Sequence, residues 1–153
     1  MRRLEAGEFD AIILAVAGLK RLQLDCSYTA LDEQIMPAAA AQGAIAVLVA
    51  LGEARAEAVE TALSALNCVD TADSVTAERA VLAALDGSCR TPISAMADID
   101  QAGRLFLRAA VLSADGQQKF TAEAEGSREE ASALGTALGE TLLRDCGGRA
   151  FLA

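Results

Sequence analysis

Histidine and tryptophan are absent, aromatic residues make up only 3% of the chain, and there are two prolines. Without histidine there is no imidazole to ligate zinc, no Ser-His or Cys-His pair and no imidazole general base. With so few aromatics, a core has to be built from Ala, Leu, Val and Ile. Basic residues are also scarce, 13 Lys and Arg against 22 Asp and Glu, for a net charge of −9. That balance argues against a general nucleic-acid binder, because phosphate contacts need clustered cations. The four cysteines, Cys26, Cys68, Cys89 and Cys146, include no Cys-x-x-Cys pair, so neither a metal site nor a secreted disulfide framework is expected. A reducing cytoplasm is the simplest setting. Chemistry is left to cysteine, carboxylate, Arg/Lys or a bound cofactor.

What is present is apolar. A hydrophobic fraction of 53% excludes an intrinsically disordered chain, and 153 residues suit one domain or a piece of something larger. Two stretches raise the question of a membrane. Arg2 and Arg3 precede the run Ala11 to Leu19, but Glu5, Glu8 and Asp10 stand between them, which a signal-peptide n-region should not carry. Gln34 to Gly52 is free of charge, yet it contains Pro37, Gln42 and Gly43 and is flanked by Glu33 and Glu53. A buried strand entered by an Ala-rich turn fits it better than a membrane span.

Along the chain, Phe9 to Ala15 and Ala44 to Ala50 are short continuous apolar runs of the kind found in parallel strands covered on both faces. Two such strands cannot make a covered sheet, so this third of the chain reads as a partial parallel α/β region. From Glu53 onward, Val59, Ala62, Leu63 and Leu66 recur at helical spacing, and Val75, Leu82 and Leu85 mark a second helix from Asp73 or Ser74 to Gly87. Ile93 to Ile99, Leu105 to Leu112 and Phe120 to Glu125 read as strands, the last two joined by an Asp115-Gly116 turn. Ser127 and Glu130 have capping-box spacing before a helix with Leu134, Leu138 and Leu142 on its apolar stripe. The expected architecture is α+β: a three-stranded antiparallel sheet with helices on one face, preceded by the partial α/β region.

Cys89 has the most informative local setting, in Gly87-Ser88-Cys89-Arg90-Thr91-Pro92 between a helix and a strand. Gly87 permits an unusual turn and Pro92 stiffens the exit. An isolated cysteine is more often a small buried hydrophobe, and a helix C-terminus disfavours thiolate. Cys26, Cys68 and Cys146 read as structural. Glu8 and Asp10 read as an edge cap, and the adjacent Glu78 and Arg79 as a solvated face or a local ion pair. No phosphate-loop spacing and no metal-ligand cluster occurs.

Three segments carry a resemblance. Leu4 to Leu22, the pair Val75-Thr76-Ala77-Glu78-Arg79 and Gly87 to Ile93, and Pro37 with Gln42-Gly43-Ala44 are similar to porphobilinogen deaminase, also called hydroxymethylbilane synthase. They fall in that family's order and at about its spacing. The resemblance implies a transferase of tetrapyrrole and heme biosynthesis that deaminates four porphobilinogen molecules and links them head to tail on a dipyrromethane cofactor. Cys89 matches the cysteine that carries the cofactor as a thioether, and Gln42 falls on a weaker cofactor-binding position. The chemistry suits a thiol, which adds to the electrophilic carbon left when a pyrrole loses ammonia.

This sequence departs from the pattern in length, about half the family's. The first domain, with the catalytic aspartate and most of the arginines that bind carboxylates, has no counterpart, so no catalytic residue is assigned here. Ser88 stands where a glycine is usual, Ala50 where an arginine is common, and four alanines fill the turn before Gln42. The implied organisation is residues 1–24 as the end of domain two, 25–69 as a connection with the returning domain-one strand and a helix, and 70–153 as the cofactor-attachment domain. The implied partners are the missing N-terminal domains, with self-association through the apolar runs as the fate of an isolated chain. A non-catalytic interaction module derived from the same domain is the competing reading. Cytoplasmic location, with no nucleic-acid or membrane partner, is expected.

Overall fold

A computed structural model describes residues 1–50, 56–88 and 91–152. The chain divides into two compact units, Met1–Ile35 and Met36–Ala153.

The first unit holds two short helices, α1 (Arg2–Glu5) and α2 (Val16–Arg21). Arg3 bridges to Glu8 at 2.7 Å and lies 4.6 Å from the centre of the Phe9 ring. The chain leaves α2 through a left-handed Gln23, with the Leu24 N–H returning to the Leu19 carbonyl at 3.1 Å.

The expected strand at residues 9–15 is not formed, nor is the one at 44–50. Both runs are extended or irregular, and their large side chains face solvent: Ile13 is 69% exposed, Ile45 88% and Leu48 94%. A strand needs neighbours for its backbone N–H and C=O groups, and among the described residues no strand pairs with either run. Gly18, Lys20 and Arg21, which follow the first run, belong to α2.

The second unit contains α3 (Ala56–Ser64), α4 (Val69–Ala84), β1 (Ile93–Ile99), β2 (Arg104–Leu112), β3 (Lys119–Ser127) and α5 (Ala131–Asp145). Short 3₁₀ turns lie at Arg128–Glu130 and Arg149–Leu152. The sheet is antiparallel in the order β1-β2-β3. Ile93, Ala95 and Ala97 lie opposite Val111, Ala109 and Leu107, which in turn lie opposite Phe120, Ala122 and Ala124. This face packs on Ala77 and Val81 of α4, on its C-cap Leu85, and on Ala131, Leu138 and Leu142 of α5. The other face carries Asp98, Arg108, Glu123 and Glu125, as the period-two alternation requires.

The helix pair is held at backbone distance by glycine. A Cβ added at Gly139 would lie 2.9 Å from the Val81 carbonyl oxygen, and one at Gly135 would strike that of Ala77. The apolar positions expected on one helix here stay open: Val59 of α3 is 41% exposed and Leu66, beyond the end of α3, 72%. The cap before α5 also differs by one residue. The Ser127 hydroxyl accepts the Glu129 N–H and pairs with the Glu129 carboxylate rather than with Glu130, because a 3₁₀ turn precedes the α-helix.

Candidate functional site

α4 ends in a Schellman motif. The Asp86 N–H donates to the Ala83 carbonyl at 3.1 Å and the Gly87 N–H to Leu82 at 3.0 Å. The left-handed residue is Asp86 (φ 53°), not the glycine. A Cβ at Gly87 would fall within 2.6 Å of both the Ile93 and the Leu82 terminal methyl groups, so these side chains would have to shift to admit one. Arg149 reaches Asp86 at 2.5 Å from the C-terminal 3₁₀ turn, and Phe151 of that turn packs edge-on to Phe120 of β3.

Ser88 and Thr91 bind each other: the Thr91 N–H donates to the Ser88 carbonyl at 3.0 Å, and the Ser88 N–H donates to the Thr91 hydroxyl at 3.2 Å. Pro92 then accepts the Leu112 N–H at 3.0 Å, starting the β1–β2 ladder. Ser88 and Pro92 are both exposed. Cys89 and Arg90, between them in sequence, lie outside the described residues. The described borders of this segment are therefore fixed, fastened to one another and open to solvent.

Gln42 sits on a turn after Pro37, its side-chain oxygen accepting the Ala39 N–H at 3.1 Å. The turn is fastened to the edge of the sheet by Glu78 of α4, whose carboxylate accepts the Ala41 N–H at 2.7 Å and the Ala97 N–H of β1 at 2.9 Å. The Ala38 N–H also points at the Met96 sulfur, 3.4 Å away. Glu78 is thus a clamp and not a solvated surface acid. The available signal was its place three residues before Val81 and seven before Leu85, on the apolar stripe. From the helix rise and the strand rise, this turn meets the β1 edge ~13–17 Å from the Gly87 and Pro92 ends of the Cys89 segment.

The remaining cysteines differ from one another. Cys146 is buried, with its thiol directed at the Leu143 carbonyl at 3.4 Å, and Cys26 is half-buried. Cys68 is exposed at the N-cap of α4. The Thr71 hydroxyl, and after it the Thr71 backbone N–H, lower its thiol pKa against the opposing effects of desolvation and Asp70. Its reading as a purely structural residue missed that exposure.

An open depression of about 630 Å³ lies on the outer sheet face, lined by Asp98, Phe106, Arg108, Glu123 and Glu125. It sits at the end of β1 away from Pro92. Among the described residues no group of carboxylates and thiols is arranged to hold a metal ion, and no helix is long and apolar enough to cross a membrane.

Residues 1–58 match the family model for the dipyrromethane cofactor binding domain of porphobilinogen deaminase, and residues 72–144 match the model for its C-terminal domain. The chain belongs to the porphobilinogen deaminase family. Membership places it among transferases of tetrapyrrole biosynthesis whose cofactor is dipyrromethane. Gln42 falls in the cofactor-binding match and Cys89 in the C-terminal one.

The residues present fit one half of what a porphobilinogen deaminase asks of its cofactor site. A covalent anchor fits a segment whose borders are accessible and braced. A group rich in carboxylates also needs cations around it, and here the described arginines are largely committed to acids of the same chain. Arg3 pairs with Glu8, Arg104 with Asp100, Arg108 with Asp98, Arg144 with Asp145 and Arg149 with Asp86, while Arg128 takes both Asp70 and Asp73.

Proposed function

We propose that this chain is the cofactor-anchoring part of a hydroxymethylbilane synthase, with Cys89 as the anchor. The observation that carries the reading is the bracing of the segment around Cys89. A Schellman cap, the Arg149–Asp86 ion pair and the reciprocal Ser88–Thr91 bonds hold both borders at the surface. When bound, dipyrromethane supplies the primer on which porphobilinogen units are joined. The chain's own part is to present the thiol, which must lose its proton once to form the thioether. Arg90, next to it in sequence, favours that ionisation. The turn bearing Gln42 offers a side-chain amide N–H at the sheet edge, suited to hydrogen-bond a carboxylate that extends that far.

We further propose that turnover of porphobilinogen needs, beyond these 153 residues, a basic region equivalent to the family's N-terminal domains. The internal pairing of the arginines supports this, and so does the exposure of the runs at 11–15 and 44–50. Those runs have the composition of inner strands, and among the described residues no strand pairs with them. The basic region would supply the catalytic acid and the carboxylate-binding cations. The site of action is then the cytoplasm, where the thiol stays reduced.

Intact mass after reconstitution with that region and porphobilinogen tests both statements. Wild type should gain one dipyrromethane on the Cys89 peptide, and Cys89→Ala should gain none. Loading that persists in Cys89→Ala overturns the anchor, and hydroxymethylbilane formed by the 153-residue chain alone overturns the need for that region. A chain that never loads, and instead captures an unrelated protein through the same surface, is the outcome the interaction-module reading requires.

A further inference from the structure

β3 is an edge strand of the sheet, paired only with β2 among the described residues. None of its nine residues is buried, and its exposure alternates strictly along the strand. Which backbone groups point outward follows from the ladder. The Leu112 N–H donates to Pro92 and the Asp100 N–H to Arg104, so the even-numbered residues of β1 and β2 bond to each other. By alternation, the odd residues of β2 bond to their β3 partners, which are Gly126, Ala124, Ala122 and Phe120. The N–H and C=O groups of Lys119, Thr121, Glu123 and Glu125 therefore face away from the sheet. Among the described residues no backbone group bonds to them.

We propose that two copies of this chain associate by antiparallel addition of β3 to β3 across a two-fold axis at Ala122. In that register Lys119 lies opposite Glu125 of the second copy and Thr121 opposite Glu123. These are the odd residues, whose backbone groups are the ones available to exchange hydrogen bonds. The pairs place unlike charges together at both ends of the seam. On the other face, Phe120 meets Ala124 and Ala122 meets its own copy, so the two apolar faces join under one layer of helices.

Charge and overlap together select the register. Sliding two residues one way sets Glu123 against its own copy. Sliding two the other way still sets Lys119 against Glu123, but it leaves Glu125 opposite Gln117, beyond the strand, and shortens the seam to residues 119–123. Edge strands that avoid association carry charges that repel a second copy, whereas these attract one, over the longer seam in the proposed alignment. The opposite edge of the sheet is less available, because Glu78 occupies the outward Ala97 N–H.

Sedimentation equilibrium of the full chain at rising concentration tests this. The weight-average mass should approach twice the 15.7 kDa of the chain. Thr121→Pro removes an outward N–H without touching the β2 ladder, and should return the mass to that of one chain with an unchanged circular dichroism spectrum. Lys119→Glu should weaken association at least several-fold, and adding Glu125→Lys should restore it; this pair of variants decides the matter if the proline variant does not fold. A chain monomeric at all concentrations overturns the proposal. So does an association unmoved by these substitutions, as expected of contact through the apolar runs, or a Lys119→Glu loss that Glu125→Lys does not repair.

Discussion

Glu78 holds Ala41 in a left-handed backbone conformation: φ at Ala41 is 61°, and its N–H lies 2.7 Å from the carboxylate. An alanine there carries a strain of about 1–2 kcal/mol, which the charge-assisted bond offsets. The other carboxylate oxygen holds the Ala97 N–H, so one side chain joins the Gln42 turn, α4 and the edge of β1. Glu78→Ala should cost about 2–4 kcal/mol: two hydrogen bonds to a charged group, about 3–6 kcal/mol together, less the ~1–2 kcal/mol of strain released at Ala41. Glu78→Gln, which keeps one acceptor oxygen, should lose roughly half of that. Urea unfolding checks both. A loss below about 0.5 kcal/mol for the alanine variant would mean the clamp contributes nothing.

The seam between α4 and α5 permits no side chain at two positions. Gly135 and Gly139 each cost about 1 kcal/mol of helix propensity relative to alanine, yet at each of them an added Cβ would meet α4 backbone. Gly135→Ala should therefore destabilise by about 1–3 kcal/mol despite the better propensity. Gly116→Ala at the hairpin is the useful contrast: no neighbour lies within 4 Å, but φ is +69°, so its cost comes from the backbone alone. A Gly135→Ala variant with a raised urea midpoint would show that the helices part freely.

Locally repeating patterns made the C-terminal sheet and its helices legible. Alternation along residues 93–99 and 119–127 and the stripe through Leu134, Leu138 and Leu142 each specify a face without outside help. The runs at 9–15 and 44–50 were misread as formed strands because their pattern describes a strand inside a larger sheet. Periodicity reports what a segment would bury and says nothing of whether the cover is present. Family likeness and the Gly…Pro frame point to Cys89, which lies outside the described residues. The part played by Glu78 was not legible, because it depends on a turn 37 residues away. Glycine is the usual left-handed cap, which draws attention to Gly87, whereas here Asp86 takes that conformation.

Acid should unfold the hairpins before it affects the core. The Asp100 carboxylate accepts N–H groups from Arg104 at 2.9 Å and Ala102 at 2.8 Å, and these bonds, with that from Arg104 foremost, lower its pKa. Asp115 is lowered chiefly by the Ser113 hydroxyl and then by the Gln117 N–H. A carboxylate whose folded pKa is depressed contributes stability that is full above its unfolded value, about 3.9, and is lost as pH falls through the folded one. Urea midpoints should hold level above roughly pH 5 and fall below about pH 4. Asp100→Asn should lower the plateau and flatten that fall. A pH profile of identical shape in the variant would remove Asp100 from the account.

Cys68 bears directly on how loading at Cys89 is measured. It is exposed at the N-terminus of a 16-residue helix, where the Thr71 hydroxyl and N–H stabilise the thiolate. It should alkylate faster near neutral pH than Cys146, whose thiol is buried against the Leu143 carbonyl. Thr71→Val removes the hydroxyl but keeps the N–H, and should shift the rate–pH curve of Cys68 to higher pH while leaving Cys146 unchanged. Peptide mapping after timed iodoacetamide treatment reads both rates, and an unshifted curve would show that Thr71 does not act on the thiol. A reactive second cysteine also forms adducts that mimic cofactor attachment in an intact-mass experiment. Loading should therefore be scored in a Cys68→Ser background, in which any remaining pyrrole adduct that Cys89→Ala abolishes belongs to Cys89.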